Sequence, residues 1–257
     1  MTQPETSQSN LQTKRLDANE VEVARYNALA KLWWDEHGPM WPLHKLNHLR
    51  VPFVLSAIRD TFGFGQSTEE DLAGLTVLDI GCGAGLLSEA MAKKGATVTG
   101  VNAAEKNINI ATEHANSGGL DIEYLHGTVD KIRGRHFDVV LNMEVVEHVF
   151  NVAAFISSCC DCVKPNGIHV VATLNRNPKS WLFAIVGAEY VLRWLPRGTH
   201  DWKQFVKPDE LKFLLESKNM QLTQSAGVSV NPLTKCYSLT SDLSVNYMLV
   251  TKKIGVS

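Results

Sequence analysis

Residues 143–148 read Met-Glu-Val-Val-Glu-His. Two carboxylates and an imidazole in so short a stretch are the side-chain types that hold a divalent cation or take up a proton. If the segment is helical, Glu144, Glu147 and His148 stand at i, i+3 and i+4 and share a face. Such a set favours Mg2+, which would fix substrate oxygens and lower the pKa of a bound hydroxyl. Without a metal, Glu147 or His148 would be the general base, or the group would only line a pocket. His44 and His200 are further base candidates.

A second string, Val77-Leu78-Asp79-Ile80-Gly81-Cys82-Gly83-Ala84-Gly85, runs from an apolar stretch into glycines at alternate positions. Glycine permits a tight turn and a close ligand approach. The spacing is one residue tighter than the dinucleotide fingerprint, which aims a helix N-terminus at a pyrophosphate. Gly81, Gly83 and Gly85 therefore suit a nucleoside ligand without phosphate. S-adenosylmethionine is one, and Asp79 would bind its ammonium directly or through water. The next strand end normally carries an acid that accepts both ribose hydroxyls. Here it is Asn102, which offers one uncharged acceptor oxygen or caps the following helix.

These residues need a frame. Apolar runs at 76–80, 96–101, 122–125, 137–141 and 168–173 read as strands, and 85–94, 103–115, 152–163 and 208–216 as helices. The alternation predicts a doubly wound, mostly parallel, seven-stranded Rossmann-like α/β sheet. Helices over 17–36 and 44–62 precede it, and strands near 220–225 and 243–251 close it. A helical insert is expected before the last two strands. Residues 1–16 read as disordered and 17–257 as a single domain. At 257 residues, 44% hydrophobic, the chain supports one substantial core. A net charge of -2 gives no reason to expect a nucleic-acid partner. Five cysteines, an odd number, argue against a secreted disulfide framework, and the lone Cys159–Cys162 pair reads as packing.

Further strings carry a resemblance. They are Trp33-Trp34-Asp35, Pro42-Leu43-His44-Lys45-Leu46-Asn47 with Arg50, Thr173-Leu174-Asn175-Arg176-Asn177, Gly198-Thr199-His200-Asp201 and Val245-Asn246-Tyr247-Met248. Together with the glycine loop, they make the sequence similar to the class I S-adenosylmethionine-dependent methyltransferases. More narrowly, it resembles the ubiquinone biosynthesis O-methyltransferases, which act on polyprenyl catechols and demethylubiquinol. The resemblance spans about 19–251. It implies a cofactor site at Arg50, Gly81, position 102 and Met143, with Arg50 on the methionine carboxylate and Met143 near the methyl donor. It supports Mg2+ at Glu144, Glu147 and His148. Asn102 departs from the aspartate of the family pattern. Other ubiquinone biosynthesis proteins become candidate partners. The alternatives are a small-molecule methyltransferase of another pathway and a non-catalytic cofactor-binding protein.

The stretch 174–206 is the least ordinary part of the chain. Trp181 to Leu195 carries only Glu189 and Arg193 as charges. Arg176, Lys179, Arg193, Arg197, Lys203 and Lys207 surround it, against Glu189 and Asp201. An apolar helix rimmed by bases and tryptophans reads as a lid or an anionic membrane-surface element. No run reaches the ~18–20 apolar residues of a membrane span, and residues 1–16 lack the apolar core of a secretory peptide. A cytoplasmic protein held peripherally at the inner membrane is expected.

Overall fold

The computed structural model describes residues 32–63, 72–182, 202–231 and 233–255. Helix α1, Trp41–Phe62, opens with Pro42 in its first turn and closes at Gly63, whose left-handed backbone turns its N–H onto the Arg59 carbonyl. Strand β1 (Thr76–Ile80) leads through the glycine loop into α2 (Leu86–Ala92). Then come β2 (Thr97–Asn102), α3 (Glu105–Ser117), β3 (Ile122–His126) and β4 (Phe137–Met143). Helix α4 (Val152–Asp161) precedes the long strand β5 (Val163–Leu174). Helix α5 (Pro208–Glu216) leads to β6 (Met220–Asn231), β7 (Cys236–Thr240) and β8 (Asn246–Lys253).

The eight strands of the described residues form one sheet in the order β3-β2-β1-β4-β5-β8-β6-β7. The first five are parallel and the other pairings antiparallel. The doubly wound α/β expectation holds, with one strand more than the seven foreseen. The additional strand is β7, so the insert precedes three strands. It hides in the sequence because the β6–β7 hairpin is polar and only half-buried, which leaves no apolar run.

The parallel strands are apolar on both faces, as helices cover both. Val77, Val139 and Val170 pack with Val54 and Ile58 of α1 on one side. Leu78, Val140 and Val171 pack with Phe155 and Ile156 of α4 and Leu211 of α5 on the other. Strand order reverses between β1 and β4, where crossovers leave in opposite directions. Doubly wound sheets bind ligands outside the strand ends at such a switch point.

A helix over 17–36 is not what residues 33–36 form. They run in turns, because the Asp35 carboxylate accepts the His37 N–H at 2.9 Å and Gly38-Pro39 follow. Residues 1–31 lie outside the described residues. So do 183–201, which hold His200 and most of the apolar insert. The insert's described base is well anchored: Asn177 caps the turn Pro178–Ser180, and Trp202 Nε1 donates to the Asn177 carbonyl at 3.0 Å. No helix of the described residues is long and apolar enough to cross a membrane.

Candidate active site

The site is built on the carboxyl ends of β1, β2 and β4. After β1, Gly81, Gly83 and Gly85 take φ of 73°, 56° and 89°, a region that costs other residues. The space beside them is occupied. A Cβ on Gly83 would meet the Trp33 ring at 2.5 Å, and one on Gly85 the Tyr124 hydroxyl at 2.2 Å. A Cβ on Gly81 would strike Val145. The loop is thus roofed by the Trp33-Trp34 turn, β3 and the segment after β4. Trp34 holds that roof down: its Nε1 donates to the Ala84 carbonyl at 3.1 Å, and its ring stacks on His114 at 3.5 Å. His44 Nε2 donates to the Trp33 carbonyl at 2.8 Å. That proton is committed to positioning Trp33, so this nitrogen is not a base.

Asp79 is buried beneath the loop and accepts a 2.6 Å bond from Ser88 Oγ. Burial pushes its carboxyl up to about 6, which the Ser88 bonds partly offset. It ties β1 to α2 and is closed to a ligand in this conformation. At the end of β2, Asn102 Oδ1 accepts the Ala104 N–H at 2.7 Å. This is an Asx-type turn rather than a helix cap, since the cap position of α3 is Ala104.

The sharpest polar anomaly is Arg50. Its guanidinium comes from the middle of α1, is 2% exposed, and has Nη2 on the Glu144 carboxylate. Its Nε and Nη1 are buried without hydrogen-bond partners. A buried cation with two unused donors is costly and calls for an anionic ligand. An amino-acid carboxylate, bidentate on the fork, is the natural one.

Opposite lies the acid group. Met143 ends β4, and Glu144 then adopts φ 57°, uncommon for a residue with a side chain. Val146–His148 is a single 3-10 turn. The expectation of one helical face is therefore corrected: the left-handed residue breaks the chain direction. Glu147 is buried, with Oε2 accepting the Thr173 hydroxyl at 2.6 Å and Oε1 lacking a hydrogen-bond partner. Burial first, and then the adjacent Glu144 carboxylate, hold Glu147 well above the usual carboxylate range. Among the described residues, no three His, Cys, Asp or Glu side chains converge closely enough to hold a metal ion. The cysteines form no metal site or disulfide there; Cys159, Cys160 and Cys162 are buried thiols, as packing residues are.

The comparisons decide what this frame is. A methyltransferase domain family matches residues 78–171. A ubiquinone biosynthesis O-methyltransferase from Dinoroseobacter shibae is 49% identical over 230 residues, covering 88% of this chain and 93% of the relative. One from Roseobacter denitrificans is 45% identical over 246 residues, covering 95% and 99%. The chain belongs to the ubiquinone biosynthesis O-methyltransferase family. The fold also recurs in the crystal structure of magnesium protoporphyrin IX methyltransferase from Synechocystis with bound SAH. That match has a TM-score of 0.59 at 18% identity and covers 81% of this chain and 84% of that one. The glycine loop, Asn102 and Met143 stand at the ends of β1, β2 and β4, and Arg50 meets Glu144 just after β4, while His200 falls outside the described residues. Sequence reasoning missed the roofing role of Trp33, Tyr124 and Val145 and the Thr173 partner of Glu147. For Trp33 there was a signal in the paired tryptophans. A tyrosine or valine in a strand context carries none.

Proposed function

We propose that the chain transfers the sulfonium methyl of S-adenosylmethionine to a phenolic hydroxyl of polyprenyl catechol and demethylubiquinol intermediates in ubiquinone biosynthesis. The observation that carries this is the buried, half-satisfied Arg50 guanidinium of α1, meeting the acid pair that follows β4 at the switch point. Arg50 takes the cofactor's carboxylate, the glycine loop admits its amino-acid portion, and Asn102 accepts from its ribose.

The chemistry is an in-line displacement. The phenol oxygen attacks the methyl carbon, the C–S bond breaks with its electron pair left on sulfur, and the phenolic proton goes to the protein. Sulfonium already leaves readily, so the protein's task is to align the oxygen and remove its proton. Glu147, whose environment favours holding a proton, or His148 beside it, is the acceptor; such bases contribute ~10²–10⁴-fold. Thr173 fixes the Glu147 carboxylate in place.

The donor types of Glu144, Glu147 and His148 fit Mg2+, and Glu147 Oε1 is an oxygen in want of a partner. The three would hold the ion once Glu144 turns from Arg50. Bound there, it would fix the two catechol oxygens and lower the phenol pKa. The insert supports a further reading: it would rest on an anionic membrane surface at the inner membrane, where a polyprenyl substrate resides. Trp181 and Leu182, at its described edge, are half-exposed.

The test is methyl transfer from labelled cofactor to a short-chain catechol. Turnover should vanish in EDTA and return with Mg2+. Full activity in EDTA would assign the step to the base alone, and bound cofactor without transfer would overturn the reading.

A further inference from the structure

Arg50 and Glu144 tie helix α1 to the segment after β4. Arg50 lies in α1. Glu144 follows β4 and adjoins Glu147. Their ion pair joins positions 94 residues apart and uses one guanidinium nitrogen, leaving Nε and Nη1 buried and unbonded. A carboxylate placed to serve Arg50 as a permanent partner would engage the fork with both oxygens. Glu144 instead reaches it from a left-handed backbone, with its N–H fixed to the Ala172 carbonyl at 2.9 Å. Its side chain is 24% exposed, against 2% for Arg50. The acid is therefore the half of the pair with room to leave.

We propose that Glu144 is an intramolecular stand-in for the cofactor's carboxylate, and that cofactor binding displaces it from Arg50 toward Glu147 and His148. This rests on the reading of Arg50 as the carboxylate site. Glu144 then acts as a positioning residue. In the empty site it neutralises a buried cation that would otherwise stand alone. Displaced, it turns wholly to the acid group it already touches at Glu147, so both of its oxygens serve the phenol side only when the methyl donor is in place. Cofactor and phenol then bind with positive coupling. Linkage requires the reverse effect as well: whatever draws Glu144 to the phenol side frees Arg50 and tightens the cofactor.

Calorimetry in EDTA tests this with two probes. S-adenosylhomocysteine carries the carboxylate, and 5′-methylthioadenosine lacks the amino-acid portion. In Glu144→Gln, S-adenosylhomocysteine should bind about fivefold tighter or more, the low end of common coupling effects, and methylthioadenosine should be unchanged. If S-adenosylhomocysteine binds equally or more weakly, Glu144 preorganises Arg50 and the proposal is overturned. Equal tightening of both probes also overturns it, because the change would then be a general opening of the pocket. Arg50→Lys separates the underlying reading. It should weaken S-adenosylhomocysteine relative to methylthioadenosine, and if it does not, Arg50 is not the carboxylate site. A thermal unfolding scan of each variant confirms that the comparison is between folded proteins.

Discussion

At the scale of single residues, Asn102 offers an uncharged oxygen where the sequence resemblance leads one to expect a carboxylate. Its Oδ1 already accepts the Ala104 N–H, so in the proposed role that oxygen would serve the ribose as well as its own turn. An aspartate would keep one oxygen on Ala104 and give the other, charged, to the ribose. Charge-assisted hydrogen bonds are roughly twice as strong as neutral ones. Asn102→Asp should therefore tighten the cofactor by about 1–2 kcal/mol, roughly 5–30-fold. Equal or weaker binding by calorimetry would leave Asn102 as a turn residue only. The residue types of the site were legible in part: Glu144, Glu147 and the glycines declare their chemistry, while Arg50 came only with the family resemblance. Their pairing was not. The Arg50–Glu144 and Thr173–Glu147 contacts join distant positions, and spacing along the chain carries no trace of either.

At the scale of elements, what could be read followed burial. Strands β1, β4 and β5 are covered on both faces, so Val77-Leu78, Val139-Val140-Leu141 and Val170-Val171 stand as unbroken apolar runs. Strand β7 and the outer half of β6 show no such run. The 143–148 stretch misled for another reason: its spacing suits a helix, and nothing in a glutamate announces a left-handed backbone. The insert carries its own test. At ~1.5–3 kcal/mol per large apolar side chain and roughly 1 kcal/mol per nearby base, burying Trp181, Phe183 and Ile185 in lipid and the surrounding charges contribute comparably. Arg176 is engaged with Glu210 and Lys179 with Asp242, which trims their pull on lipid. Sedimentation with anionic vesicles should show binding that weakens with salt. Replacing Phe183 and Ile185 by Ser should lower binding and long-chain turnover while sparing a short-chain catechol. Protein that stays in the supernatant at low salt would make the insert a protein-packed lid.

For the whole molecule, two buried groups set opposite responses to acid. His169 is fully buried in β5, and desolvation lowers its pKa to about 3 from 6.5. Between these values the unfolded chain holds a proton that the fold refuses, so stability falls as pH drops. Asp79, raised to about 6 from 3.8, does the reverse: there the fold binds the extra proton, and stability falls as pH rises through that window. The two slopes offset each other over much of the same range. Removing His169 should uncover the other. Urea midpoints of His169→Gln relative to the parent should improve steadily from pH 6.5 down to 4. Parallel curves would mean that His169 is protonated in the fold.

Strand β8 lies between β5 and β6, although both precede it in the chain. During synthesis, therefore, every other strand has emerged before the one that joins them. Until residues 246–253 leave the ribosome, β5 and β6 each present a bare edge, the kind that recruits other chains. The sheet cannot be laid down in the order in which it is made. It closes last at its middle, and the nascent protein depends on whatever shields those two edges while it waits.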